Sequence, residues 1–324
     1  MMQRRGFLSW LVVSPLASAL PAAAQQSDRI WRVGVLDWSS ANDRVIYDGL
    51  IQALRELGYA EGRNITIEYR GADGDPERAA RFAAELARSQ VDIIVAISTP
   101  AAHAAKEATR TIPIVFHMAD PRATGLVTSL ARPGGNMTGV SIAIPDVAAK
   151  WLELLREIMP GVVRVAFLGS MPDPNSRTQL REVEASAARL GIVVRALLVG
   201  HAGEFEAAFA AAAEAHVSAV IVQTILLNHR AAIGGLAQRH RLPWTGERKD
   251  AAEAGALLAY GANRPAVYRR FAAIVDRVLK GANPGELPVE QPTKFELVIN
   301  LKAAKALGLA VPPTLLARAD EVIE

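Results

Sequence analysis

Short runs of β-branched residues alternate along this chain with longer stretches in which apolar residues recur every three to four positions. Residues 32–36 read as a first strand. A helix over residues 42–57 follows, with Val45, Leu50, Leu54 and Leu57 on one face and Gly58 closing it. Ile65, Ile67 and Tyr69 alternate as a strand, and Pro76 opens a helix that turns Ala79, Phe82, Ala83 and Leu86 inward. The unbroken apolar run 93–97 predicts a strand covered on both faces. A helix through Lys106 comes next, then strands at 114–116 and 137–141, separated by the turn Pro133-Gly134-Gly135-Asn136.

After a helix over residues 145–159 the pattern begins again. Strands are expected at 163–168, 192–199, 217–222 and 256–260, with helices over 174–190 and 204–213 between them. The order strand, polar pair, helix, Ile-Pro-Ile around Ser98 is echoed around Thr224 by strand, polar pair, helix, Leu-Pro-Trp. A helix over 264–280 is broken by Gly281-Ala282-Asn283-Pro284-Gly285; a strand over 295–299 and two short helices finish the chain. Strands alternating with helices predict α/β architecture with parallel sheets, and two such series predict two lobes of like topology.

The length of 324 residues suits two domains better than one. Lys and Arg number 36 against 33 Asp and Glu, and no basic run is long enough for a nucleic-acid groove, so nucleic acid is not an expected partner. Residues 1–5 carry positive charge, 6–20 are apolar, and Ala22-Ala23-Ala24 supplies small residues where a signal peptidase reads, which predicts an export signal over residues 1–24. Arg4-Arg5 leaves both the general and the twin-arginine routes open. The absence of cysteine excludes disulfides, thiolate zinc, a thiol nucleophile and a lipid-anchored cysteine, so the exported chain is expected free in a periplasm.

In open parallel sheets, ligands bind outside the carboxyl ends of the strands. Those ends carry Asp37-Trp38-Ser39-Ser40, Ser98-Thr99, His117-Met118-Ala119-Asp120, Ser141, Ser170 and Gln223-Thr224. This polar, mostly uncharged set suits holding a small molecule by hydrogen bonds and does not pair a strong nucleophile with a base. Thr99, read as a helix N-cap before Pro100, either favours an anion there or caps its own helix. His117 lines the cleft or is a satisfied structural histidine; Asp120 meets ligand or starts a turn at Pro121; Trp38 stacks on ligand or packs between lobes. The run Glu247-Arg248-Lys249-Asp250 is either a source of one ligand contact or a solvated charge cluster. The six histidines have no metal-ligand spacing, and neither a metal nor a cofactor is expected.

Several segments carry a family resemblance: Gly58-Tyr59-Ala60-Glu61-Gly62-Arg63-Asn64-Ile65, Ile112-Pro113-Ile114-Val115-Phe116, Arg132-Pro133-Gly134-Gly135-Asn136-Met137-Thr138-Gly139-Val140-Ser141, and Pro292-Thr293-Lys294-Phe295-Glu296-Leu297-Val298-Ile299-Asn300-Leu301-Lys302. With these the chain resembles the substrate-binding proteins of ABC importers, the family with tryptophan- and tyrosine-type members. The resemblance implies a type I periplasmic-binding-protein fold, with two doubly wound lobes joined by three crossings and closing on one solute. Lobe 1 is then expected over 28–141 and 262–284, lobe 2 over 142–261 and 285–324, with crossings near Ser141, Asn263 and Pro284. The family's binding loops fall on Ser98, Thr99, Asp120, Ser141 and Asn175, and Trp38, His117, Thr224 and Asn263 complete the candidate set. At two loops the chain departs from amino-acid-binding members. Thr224-Ile225-Leu226 replaces an Asp-Asn pair, and Gly246-Glu247-Arg248 replaces Gly-Ser-Asp, which implies a small anionic or aromatic acid as solute. The expected partners are that solute and an inner-membrane permease, with the chain a monomer and not an enzyme. A sensory module reporting to a membrane receptor is the alternative, and a secreted hydrolase a more distant one, since no G-x-S-x-G elbow occurs.

Overall fold

The structure, a computed structural model, describes residues 29–40, 44–142 and 147–324. The expected export signal over residues 1–24 lies outside them, as do the expected starts of the first and fourth helices at Asn42 and Pro145. The first half runs β1 (Trp31–Asp37), α1 (Val45–Glu56), β2 (Ile65–Gly71), α2 (Pro76–Arg88), β3 (Ile93–Ile97), α3 (Thr99–Ala108), β4 (Ile114–Met118) and β5 (Met137–Ser141). The second runs α4 (Val147–Ile158), β6 (Arg164–Ser170), α5 (Ser176–Arg189), β7 (Val193–Val199), α6 (Phe205–Glu214), β8 (Ala219–Val222), α7 (Arg230–Arg239), β9 (Trp244–Gly246), α8 (Lys249–Glu253) and β10 (Leu258–Ala262). The chain then adds α9 (Arg264–Leu279), β11 (Phe295–Asn300), α10 (Leu301–Ala306), α11 (Pro313–Leu316) and β12 (Glu321–Ile323).

The strands form two sheets, ordered β2-β1-β3-β4-β5 and β12-β11-β10-β9-β8-β6-β7. Read from β7, the second sheet repeats the order of the first, 2-1-3-4-5, so the two lobes share a doubly wound topology. Each sheet is covered on both faces. In the first, Val33, Val35 and Val95 pack under α1 and α9, while Leu36, Ile94 and Phe116 pack under α2 and α3. In the second, Phe167 and Ile221 face α4 and α5, and Leu168 and Val220 face α6 and α7. That double cover is why 93–97 contains no polar residue: every side chain of β3 is buried.

Local chemistry sets the helix starts. Asp75 accepts from the N–H groups of Glu77 and Arg78 at 2.9 and 3.1 Å ahead of Pro76, and Asn263 accepts from Ala266 at 3.1 Å ahead of Pro265. Two features differ from the parallel pattern expected. β10 lies two residues later than expected, and β11 runs antiparallel to it, with Ala262 opposite Phe295. The cause is the lobe crossing. β10 leaves the sheet at Ala262, and the returning chain enters beside it, Asn263 N–H donating to Lys294 O at 2.9 Å. Two crossings that touch at one end of a sheet force their strands to run in opposite directions.

The chain also keeps company with the first sheet beyond Pro284. The N–H of Gly134 bonds Gly285 O at 3.0 Å, that of Val289 bonds Leu130 O at 2.7 Å, and that of Ser141 bonds Glu290 O at 2.9 Å, so the chain stays with the first sheet through Glu290. The missing side chain of Gly285 makes that seam possible: a Cβ there would meet Gly135 O at 2.5 Å.

The β4–β5 pair has a similar demand, since a Cβ on Gly139 would stand 2.0 Å from Phe116 O. Gly139→Ala is therefore expected to cost at least about 2–3 kcal/mol, read as a lower urea midpoint; an unchanged midpoint would mean the strands separate freely there.

Candidate functional site

The strand order reverses between β1 and β3 in one lobe and between β6 and β8 in the other, and crevices open at such points. A cavity of about 90 Å³ lies between the two lobes at those strand ends. One water needs roughly 10–15 Å³, so the space takes a small molecule. Its apolar wall includes Ile46, Ile97, Met118, Ile142, Trp151 and Ile225.

On the first lobe, Asp37 closes β1 and is buried. Its carboxylate accepts from Ser39 N–H at 2.9 Å and from Tyr69 Oη–H at 3.2 Å. Burial, then the Asp37 charge, push the Tyr69 hydroxyl far above its ordinary range, so it remains a donor. Ser98 follows β3 with φ of +95°, a conformation that side chains adopt only when the surroundings impose it. Its N–H donates to His117 O at 2.7 Å, and its Oγ is buried with no partner among the described residues. The helix begins one residue earlier than expected: Ser98, not Thr99, is the cap residue, and its side chain bonds no helix N–H. The first-turn N–H groups of Thr99 and Ala101 lie outside the helical ladder, and the N-terminal end of the helix dipole favours negative charge there.

His117, at the end of β4, is buried, and burial followed by the Arg264 charge lowers its pKa to about 3. It is therefore neutral, with Nε2 3.5 Å from Arg264 Nη1 and its ring 5.6 Å from Phe271. Both readings of this residue hold, since it packs in the core and also lines the cavity. Asp120 does likewise: its Oδ1 accepts from the N–H groups of Arg122 and Ala123, each at 2.9 Å, while the residue faces the cavity.

On the second lobe, Gln223 after β8 organises the loop after β6. Its Oε1 accepts from Ser170 N–H at 2.8 Å and Ser176 Oγ–H at 2.7 Å, and its Nε2 donates to Asp173 at 2.8 Å. Asp173 also accepts from Asn175 N–H at 2.9 Å. Burial outweighs these bonds and pushes the Asp173 carboxyl up to about 6. Thr224 Oγ donates to Glu247, the residue after β9. Arg248 lines the cavity, but Nε donates to Asp250 at 2.9 Å, Nη2 meets the same carboxylate, and Nη1 donates to Asn228 at 3.2 Å.

Ser98, Thr99, His117, Asp120, Asn175 and Thr224 thus come together around one cavity. Three candidates do not reach it. Trp38 packs with Ala72, Ala79 and Ile225 of the other lobe, the packing alternative raised for it. Ser141 donates to Ala119 O at 2.7 Å and shapes the loop that carries Asp120. Asn263 caps α9 and donates to Glu296 at 2.9 Å. The sequence reading passed over Asp173, Gln179, Glu182 and Asn228, which also line the cavity. Asn175, Gln179 and Glu182 recur at helical spacing at the start of α5, a signal available in the sequence. Among the described residues no cluster of His, Asp and Glu suits a metal ion, and no helix is long and apolar enough to cross a membrane.

Five carboxylates line the cavity, Asp37, Asp120, Asp173, Glu182 and Glu247, and the one guanidinium among the lining residues is paired with Asp250. The Glu182 carboxyl is pushed up by burial and by the Asp120 charge from the opposite lobe. Asn228 Nδ2 donates across the gap to Ser39 Oγ at 2.8 Å, so the lobes are in contact.

The raised Asp173 pKa has a stability consequence. A carboxyl moved from 3.8 to about 6 on folding contributes stability below pH 3.8 that is lost as pH rises through 6. The melting temperature of Asp173→Asn minus that of the natural protein should therefore increase from pH 4.5 to 7; a difference flat across that range would show Asp173 to be well solvated.

The family model for ABC transporter substrate binding proteins matches residues 36–323. The curated tyrosine-binding protein of Clostridioides difficile is 28% identical over 263 residues, 81% of this chain and 76% of that protein. The L-Trp complex from Streptococcus pneumoniae is 29% identical with a TM-score of 0.84, over 90% of this chain and 99% of that one. The ligand-free, open structure of a substrate binding protein with adhesive properties from Clostridium difficile is 25% identical with a TM-score of 0.64, over 90% and 99%. The architecture is the type I periplasmic-binding-protein fold. With its two like-wound lobes and the cavity between their strand ends, the chain belongs to the ABC transporter substrate binding protein family.

Proposed function

We propose that this chain is the periplasmic solute-binding component of an ABC importer, working as a monomer that closes its lobes over one amino-acid-like molecule with an apolar, aromatic body. The observation that carries this reading is the lining of the cavity, an apolar wall beside a ring of carboxylates. Negative charge of that density favours a ligand bearing an ammonium group. It turns the expectation away from a simple organic acid, because Arg248, the cation that suggested one, is already engaged by Asp250. The ligand's own carboxylate fits the first turn of α3, where Thr99 lines the cavity at the helix end.

The relatives support the class, one named for tyrosine and one solved with L-Trp. The closer match to the L-Trp complex than to the ligand-free, open structure, at similar identity, agrees with a closed arrangement here. Closure would hinge on three crossings: the one after Ser141, the Ala262-Asn263 step, and residues 291–294. Two lobe bodies, residues 29–40 and 44–141 with 262–290, and 147–261 with 295–324, would move as units. Ligand acts by binding the closed form better than the open one, which is the signal a permease can read.

Calorimetric titration with L-tryptophan, L-tyrosine, L-phenylalanine, benzoate and citrate tests the ligand class. At least one aromatic amino acid should bind near or below about 1 μM, with the acids lacking an ammonium group at least 100-fold weaker; the reverse order would sink the proposal. Ligand-dependent uptake by vesicles carrying the cognate permease tests the import role, and capture of a receptor in place of a permease would assign it to sensing.

A further inference from the structure

Carboxylates from both lobes face one another across the cavity. Asp120 stands in the loop after β4 of the first lobe and Glu182 on α5 of the second; both line the cavity and both keep contact with solvent. Burial and then the Asp120 charge push the Glu182 carboxyl up, so the two acids act on each other across the gap. Asp173 lies deeper on the same lobe as Glu182, and burial pushes its carboxyl up to about 6 against the bonds from Asn175 N–H and Gln223. Opening the lobes carries Asp120 away from Glu182 and admits water to the space that Asp173 lines, which returns these acids toward their ordinary range. The other charged groups around the space have their own partners. Asp37, at the end of β1, is held by Ser39 N–H and Tyr69 within its lobe. Glu247, after β9, bonds Thr224 and faces Arg264 of α9 at 4.0 Å. Arg248 meets Asp250, which also takes Arg230 Nε at 3.2 Å. On α4, packed beside α5, Lys150 pairs with Glu153 at 3.4 Å. His117, with its pKa lowered to about 3, is neutral in mild acid as at neutral pH.

We propose that shutting the empty cleft takes up protons, so that protons and a cationic group on the solute are alternative counter-charges for the carboxylates the two lobes bring together. This rests on the reading of the lobes as a closing pair and is independent of which solute they close on. A carboxyl whose pKa is higher in the closed form holds its proton more tightly there. Closure is therefore favoured in acid, and the advantage is lost as pH rises through the closed-form value, about 6 for Asp173. At neutral pH the like charges of Asp120 and Glu182 hold the empty lobes apart, and an ammonium group on the solute does there what protons do in acid.

Small-angle scattering of the empty protein at pH 7.5 and 4.5 tests this, with circular dichroism checking that the chain is folded at both. The radius of gyration should fall reversibly in acid, and the fitted ratio of closed to open molecules should rise at least about 10-fold, the effect of one pKa unit. Glu182→Gln and Asp120→Asn should each be more compact than the natural protein at pH 7.5 and differ from it less at pH 4.5; an amide at 120 still accepts from the N–H groups of Arg122 and Ala123, so the turn is kept. Two variants are used so that misfolding of one leaves the other to decide. A radius that is insensitive to pH but contracts on adding L-tryptophan, L-tyrosine or L-phenylalanine overturns the proton coupling and leaves the closing clamp standing. Variants that match the natural protein at both pH values overturn the coupling as well. Contraction in acid, relieved in the variants, without contraction by any of the three amino acids supports the coupling and overturns the ligand class alone. No contraction under any of these conditions overturns the movement of the lobes, and the coupling with it.

Discussion

The constraint on which this molecule depends is topological. In a 2-1-3-4-5 sheet the connections leaving the strands on either side of the reversal point pass to opposite faces, and the backbone between them cannot fill the gap. Two such sheets, β2-β1-β3-β4-β5 and its repeat in the second lobe, meet with those gaps toward one another. The strands at the reversal end in Asp37 and Ser98 on one side, and lead to Asp173 and Thr224 on the other. Polar residues are required there, because the strand-end backbone and helix-start N–H groups need partners.

Most of that polarity is settled within each lobe. Asp37 is held by Ser39 and Tyr69, Asp173 by Asn175 and Gln223, Arg248 by Asp250 and Asn228. A site whose side chains are fixed before ligand arrives loses less rotamer freedom on binding. Contacts across the gap are fewer: Asn228 to Ser39, Ile225 against Trp38, and the buried Glu247–Arg264 pair. Lobes that are internally satisfied and weakly joined leave to the solute most of the free-energy difference between open and closed, which is what a reporter of occupancy needs.

The fold was legible because its signals are local and repeated. A continuous apolar run marked β3, and Pro76 marked the start of α2. The later onset of β10 and the reversal of β11 were not legible, since both follow from the contact between two crossings far apart in sequence. The three-residue strand β12 was also missed: it is set by pairing with β11 and has no pattern of its own. Of the residues the sequence singles out, strand-end position marks Ser98, Thr99, His117, Asp120 and Thr224 and the family resemblance marks Asn175, and all six line the cavity. Ser141 and Asn263 lie outside the lining, because position along a strand says where a side chain begins and not which carbonyl or N–H captures it.

Charge was the harder property to read, and Arg248 shows why. Standing where relatives that bind amino acids are expected to carry a carboxylate, it suggested an anionic solute. Two residues on, Asp250 at the start of α8 faces back along the same turn and takes Nε and Nη2 of the guanidinium together. A fork held by two parallel bonds is a strong charge-assisted pair with a fixed geometry. Arg248 adds bulk and order to the wall, and it steadies Asn228, the residue that touches Ser39 across the gap. Asp250 also takes Arg230 Nε at 3.2 Å, and carboxylates outnumber the guanidinium five to one among the residues lining the cavity. The charge a ligand meets is the residue minus its partner, and the partner here is supplied by the helix that follows.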